Sequence, residues 1–247
     1  MLAPSRRFPG TTRRLSSDLR AKVEKAERKR AIKNMLATGS HLESRDAFVR
    51  YATLVAEMPV NHKARVPVRY YYKHLFEKPG DAMLDVGSWL GANLMHYADR
   101  GHEIDGIEVA RPYVDEALKR IATKTEDVRR RIRVFCCLVE EFVGDRLYDV
   151  ALAGEILTHV RDPQATVAAI YKLLKPGGTL FLAVPKDQQR TETRSFDGAA
   201  LRALVTELGF QVQQLFVTHP KVTLEWGVAQ WVCRAVKDAD ARMIPYE

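Results

Sequence analysis

Cysteine is scarce in this 247-residue chain: Cys136, Cys137 and Cys233 are the whole complement, and they form no CxxC pair. That count and spacing speak against a disulfide framework and against a structural zinc site. Reduced, mostly buried thiols and no metal site are expected. No apolar run approaches the roughly 18 residues of a membrane span, and the first residues lack the apolar core of a secretory signal. A soluble, cytoplasmic protein is the resulting expectation. Internal repeats and low-complexity tracts are also missing.

What is present is a net charge of +8, unevenly placed. Residues 1–50 hold 13 Lys/Arg against 5 Asp/Glu; subtracting these from totals of 39 and 31 leaves 26 against 26 for the remainder. The body of the protein is electrically neutral. Its basic start is either a solvated face or a contact for nucleic acid, an anionic surface or an acidic partner.

Residues 1–15 carry Pro4, Pro9, Gly10 and four arginines without an acid, a composition that orders only when docked. From a cap at Ser16 or Ser17, Asp18 to Leu36 reads as a charged helix whose apolar stripe is limited to Leu15, Leu19, Val23 and Ala26. A second helix is expected over about Ser44 to Glu57, with Ala47, Phe48, Tyr51, Leu54 and Val55 at helical spacing, and a third from Val68 to Phe76. Residues 1–79 are thus a basic segment and helical cap, and 80–247 the main domain.

From Ala82 short apolar runs alternate with amphipathic stretches: MLDVG, then Ala92 to Arg100; EIDGIEV, then Pro112 to Thr123; RVFCCLV; YDVALAG, then Pro163 to Leu174; TLFLAV. This rhythm predicts an α/β fold with a doubly wound, mostly parallel seven-stranded sheet. A helix ending at Gly209 is followed by FQVQQLFV and a strand around Trp226 to Val236 with no crossover helix between, so the last strand is expected to be antiparallel.

Chemistry concentrates at the first strand-to-helix turn, Asp85-Val86-Gly87-Ser88-Trp89-Leu90-Gly91. Glycines allow a sharp turn and close approach of a ligand to the backbone. Glu108, 21 residues after Gly87 at the end of the next strand, is placed to accept hydrogen bonds from a ribose diol. A dinucleotide would need a glycine where Trp89 stands, so that its pyrophosphate could approach the backbone. A phosphate-free nucleoside cofactor fits better.

The stretches MLDVGSWLGANLMHYADRG, IDGIEVA, YDVALAGEILTHVRDP and LLKPGGTLFLAVP resemble the successive motifs of class I S-adenosylmethionine-dependent methyltransferases, closest to the small-molecule and glycan-modifying branches. The resemblance spans about Gly80 to Val236. It implies S-adenosylmethionine as cofactor: Asp85 holding the methionine amino end, Gly87, Ser88, Trp89 and Gly91 forming the loop, and Glu108 with Val109 at the ribose. Leu138 and Val139 would lie at the adenine, through packing and backbone bonds, and Gly154 and Glu155 beside the methyl group. Methyl transfer needs an aligned acceptor and a base for its proton. His159, one helical turn after Glu155, is the first candidate base, and His219 in the loop before the last strand is the second. Tyr70, Tyr71 and Tyr72 precede the first strand; Tyr71 and Tyr72 are candidate substrate or lid residues.

Three readings stay open. One is a methyltransferase acting on a small-molecule or glycan hydroxyl. Another is an RNA or protein methyltransferase docking through the basic first 50 residues. The last is a catalytically silent partner subunit. An Asn/Asp-Pro-Pro-aromatic tetrapeptide after the fourth strand is absent, Ala153-Gly154-Glu155-Ile156 standing there instead. Neither Cys136 nor Cys137 sits where a cytosine-attacking nucleophile is expected.

Overall fold

The structure, a computed structural model, describes residues 17–58, 80–186, 194–218 and 229–240. The helix expected over Val68 to Phe76, residues Tyr70 to Tyr72 and His219 lie outside them. Two helices, α1 (Ser17–Thr38) and α2 (Arg45–Ala56), precede the sheet. Its strands are β1 (Ala82–Val86), β2 (Glu103–Ile107), β3 (Ile132–Phe135), β4 (Tyr148–Gly154), β5 (Leu174–Pro185), β6 (Phe210–Val217) and β7 (Gln230–Lys237). Between them run α3 (Ala92–Ala98), α4 (Arg111–Ile121), α5 (Glu126–Arg130), α6 (Pro163–Leu173) and α7 (Gly198–Glu207).

The strands form one sheet in the order β3-β2-β1-β4-β5-β7-β6. Strands β1 to β5 pair in parallel, and β7 runs antiparallel to both β5 and β6. This is the doubly wound, mostly parallel sheet with an antiparallel last strand that the alternation predicts. The order reverses between β1 and β4, so the carboxyl ends of these strands flank a crevice in which ligands of open α/β sheets bind.

Alternate side chains of β1 show how both faces are covered. Met83 joins a cluster with Leu94, Tyr97, Ile104 and Ile121, whereas Leu84 and Val86 join Val167, Ile170, Leu201 and Val205 on the other side. Helix starts are set by local chemistry: Asp162 accepts from the backbone N–H of Gln164 and Ala165 before Pro163, Asp197 from Ala200, and Ser44 from Ala47.

Several expectations are corrected. The α5 turn was not anticipated, because five residues are too few to show a period. β3 stops at Phe135, so Cys136, Cys137 and Leu138 leave the sheet. The thiols are free, but Cys136 is exposed and Cys137 half-buried; only Cys233 is buried. In α1, Val23 and Ala26 face solvent; the partly covered residues are Arg28, Ala31, Ile32, Met35 and Leu36. The helix therefore docks by its C-terminal half, with Arg28 paired to Glu57 at the end of α2. Among the described residues no helix is long and apolar enough to cross a membrane.

Asp105 on β2 ties three strands together. Its carboxylate is fully buried and receives Arg133 (2.7 and 2.8 Å), Arg146 (2.9 and 3.3 Å) and the Tyr148 hydroxyl (2.5 Å). Burial alone would raise this carboxyl, but hydrogen bonds from Arg133, Tyr148 and Arg146 outweigh it and hold Asp105 below the usual aspartate range. A group lowered in the folded state stabilises above its ordinary pKa, and the contribution disappears as pH falls through the lowered value. Asp105→Asn leaves two guanidinium groups facing a neutral amide and should cost about 3 kcal/mol at neutral pH. Urea unfolding as a function of pH should show the acid limb flattened in the variant; an unchanged limb would refute the assignment.

Candidate functional site at the carboxyl ends of β1, β2 and β4

The loop after β1 folds back over β2. The N–H groups of Gly87 and Ser88 both donate to the Ile107 carbonyl (2.8 and 3.1 Å), and Gly91 N–H donates to Ser88 (2.9 Å). Gly87, Trp89 and Gly91 all have positive φ, at 76°, 48° and 75°. Glycine is required at Gly87 for a second reason: a Cβ there would lie under 3.0 Å from Ile156 Cγ2.

This bend aims the Trp89 N–H at Glu108 Oε2 (3.1 Å), while the Ala110 N–H holds Oε1 (2.9 Å). Glu108 is only 8% exposed. Burial raises its carboxyl above the usual range, and the N–H groups of Ala110, Trp89 and Val109 offset part of that effect.

Glu108 opens on a cavity of about 330 Å³. Gly87, Trp89, Val109, Leu138, Val139, Gly154, Glu155 and His159 also line it, so most of the residues singled out by sequence meet in one place. Asp85, Ser88 and Gly91 are not among the lining residues. Asp85, in β1, is buried, with both oxygens near Asn93 Nδ2 (3.2 Å each). Ser88 Oγ is buried, close to where a Cβ on Gly106 would stand. Gly91 begins α3 against Ala117.

At the other side Glu155 leaves β4 with φ 61° and donates its N–H to Ala183 (2.7 Å). His159 sits in a turn, not a helix as its spacing suggested: the His159 and Val160 N–H groups both bond the Ile156 carbonyl (2.8 and 3.1 Å). The left-handed residue at Glu155 breaks the helical path. Arg194 pins the turn through the Val160 and Arg161 carbonyls (2.9 and 2.6 Å).

Other lining residues went unnoticed in the sequence. Phe48, Tyr51, Ala52 and Val55 of α2 form a wall, which Arg45 fastens to Glu141 and Arg161 fastens through the Leu42 carbonyl (3.3 Å). Their apolar spacing marked a packing face but not what it covers. Tyr113 stands in the first turn of α4, its ring perpendicular to Trp89 with centroids 6.0 Å apart. Glu140 accepts from Thr166 Oγ1 (2.5 Å). Cys137 lines the cavity as a thiol, pushed up to about 11 by burial and by neighbouring Cys136 and Glu141. At neutral pH it is not a nucleophilic thiolate.

A family model described as a methyltransferase domain matches residues 84–180. The chain is 33% identical over 106 residues to a ubiquinone biosynthesis O-methyltransferase of Idiomarina loihiensis, covering 42% of each protein. It is 31% identical over 108 residues to phosphoethanolamine N-methyltransferase 2 of Caenorhabditis elegans, covering 43% of this chain and 24% of that protein. The match spans less than half the length of these curated relatives. Among solved structures, a Haemonchus contortus phospholethanolamine N-methyltransferase 2 complexed with phosphomonomethylethanolamine and S-adenosylhomocysteine superposes with a TM-score of 0.57 at 14% identity, over 68% of this chain and 51% of that one. Residues 84–180 thus match a methyltransferase domain, set within a sheet fold shared with solved methyltransferases.

The cavity suits S-adenosylmethionine, the cofactor that the sequence motifs imply, on its own chemistry. It offers a buried carboxylate for a ribose diol, a loop with bare backbone at Gly87, and apolar walls. None of its described lining residues is Lys or Arg, which a phosphate-bearing cofactor would favour.

Gly87→Ala should lower stability by about 2 kcal/mol and the melting temperature by about 4–8 °C, from positive φ plus the clash. In an Ile156→Ala background the penalty should shrink; full additivity would show that Ile156 is not the obstacle. The raised Glu108 carboxyl gives the opposite pH sign to Asp105. Its contribution to ligand-free stability is complete below the ordinary glutamate range and is lost as pH rises through the raised value. Glu108→Gln should remove that loss, as melting temperatures measured across this range would show.

Proposed function

We propose that the protein transfers a methyl group from S-adenosylmethionine to a hydroxyl of a small molecule or glycan. The observation that carries this reading is the meeting, in one cavity, of the Glu108 carboxylate with Glu155 and His159. Glu108 would hold the ribose hydroxyls, Gly87 and Trp89 would bound the chain leading to the methionine end, and Leu138 and Val139 would flank the adenine.

When bound, the cofactor supplies a methyl carbon already activated on a positively charged sulfur. The protein's remaining tasks are alignment and proton removal. His159 would take the proton of the acceptor hydroxyl, leaving its oxygen free to accept the methyl group that the bound cofactor would supply. Glu155, just after β4, would present its carboxylate to the cofactor's positive charge. His219 and the Tyr71 and Tyr72 pair belong to the proposal as further base and lid candidates. Oxygen as the acceptor atom is supported by the O-methyltransferase relative and by the lack of Lys or Arg among the described lining residues, since an anionic acceptor favours such partners.

A second reading rests on α1. Lys22, Lys25, Lys29 and Lys33 recur every three or four residues along one exposed face, as an RNA-docking arm would require. RNA binding through this face must weaken steeply with salt.

Incubation with methyl-labelled S-adenosylmethionine and a fractionated cell extract separates the readings. Label in the metabolite or polysaccharide fraction is expected; label in RNA or protein, or in nothing, overturns the proposal. Once an acceptor is identified, His159→Ala should lower kcat by about 100-fold or more while S-adenosylhomocysteine affinity changes far less. An unchanged kcat removes His159 as base.

A further inference from the structure

Among the described residues, Trp89 and Glu155 alone adopt positive φ without being glycine, and both line the same cavity. A left-handed backbone disfavours a bulky side chain, and glycine at this position would relieve it. Strain of this kind persists where the surrounding structure enforces it, and it clusters at ligand sites. The indole is held against the cavity by two constraints. The backbone N–H of Trp89 is committed to Glu108 Oε2, which fixes where its side chain leaves the loop, and the ring of Tyr113, on the start of α4, stands perpendicular to the indole.

Its place along the cavity follows from the chain. Residue 89 touches the carboxylate assigned to the ribose and lies two residues after Gly87, which bounds the path towards Asp85 and the methionine end. Trp89 thus lines the cavity between the carboxylate assigned to the ribose and the loop leading to the methionine end, the stretch along which the proposed donor would carry its sulfur. The described lining contains carboxylates at Glu108, Glu140 and Glu155 and no Lys or Arg, so the surroundings favour a cation.

We propose that Trp89 discriminates between donor and product: its indole, braced by Tyr113, attracts the positively charged sulfonium and loses that attraction when transfer leaves a neutral thioether. The inference rests on the methyltransferase reading above. An aromatic face contributes attraction to a cation that an aliphatic wall of similar size does not.

Calorimetric titration of S-adenosylmethionine and S-adenosylhomocysteine tests this without turnover. Trp89→Leu and Trp89→Gly should weaken S-adenosylmethionine by about 2-fold to 30-fold more than S-adenosylhomocysteine, whereas Trp89→Phe should largely preserve the ratio. Trp89→Gly should melt no earlier than the unaltered protein because it relieves the backbone, so it serves if the leucine variant folds poorly. Equal weakening of both ligands, or no weakening, overturns the proposal and leaves the indole as an apolar wall. If the unaltered protein binds neither ligand, the methyltransferase reading fails as well, and the two failures are thereby distinguished.

Discussion

Two backbone N–H groups, from Trp89 and Ala110, hold a buried carboxylate at the carboxyl end of β2, and the architecture of the site is built around that arrangement. For the Trp89 N–H to point at Glu108, the loop after β1 must turn through three residues of positive φ. For Ala110 to reach the other oxygen, α4 must begin immediately after it. Both conditions require β1 and β2 to be parallel neighbours in the observed register, with Val86 beside Ile107. A carboxylate so deeply buried without a cation is held at a cost, and hydroxyl donors from a ligand are the natural means of offsetting it.

The opposite half of the cavity obeys a different constraint. β4 brings Glu155 alongside β1, and the left-handed residue there diverts the chain into a turn that carries His159 towards the same space. α2 covers the opening, attached by Arg45 and Arg161 rather than by a shared core. The domain thus combines a rigid floor, made of strand ends and backbone hydrogen bonds, with a wall fastened by side-chain contacts.

Much of the fold was legible in the sequence because local rules dominate it. The alternation of apolar strands and amphipathic helices, the helix starts near Ser44 and Pro163, and the missing crossover before β7 all act over a few residues. The carboxylate after β2 was equally legible, since its spacing from Gly87 reflects the length of one strand-helix-strand unit. Short elements such as α5, and the point at which β3 ends, carry too few residues for a period to register.

Residue identity by itself determined the strand order's two-part rhythm, the bend at Gly87 and Gly91, and the candidacy of Glu108, Glu155 and His159. Tertiary structure decided what no spacing encodes: that Trp89 takes the left-handed conformation of the glycine it stands in for, that the Asp85 carboxylate meets Asn93 of α3, and that Phe48 and Tyr51, distant in sequence, line one cavity with Glu108 and Glu155. The physical reason is range. Turns, caps and periods are settled by neighbours along the chain, whereas a cavity is made of surfaces brought together only when the sheet and its covering helices pack.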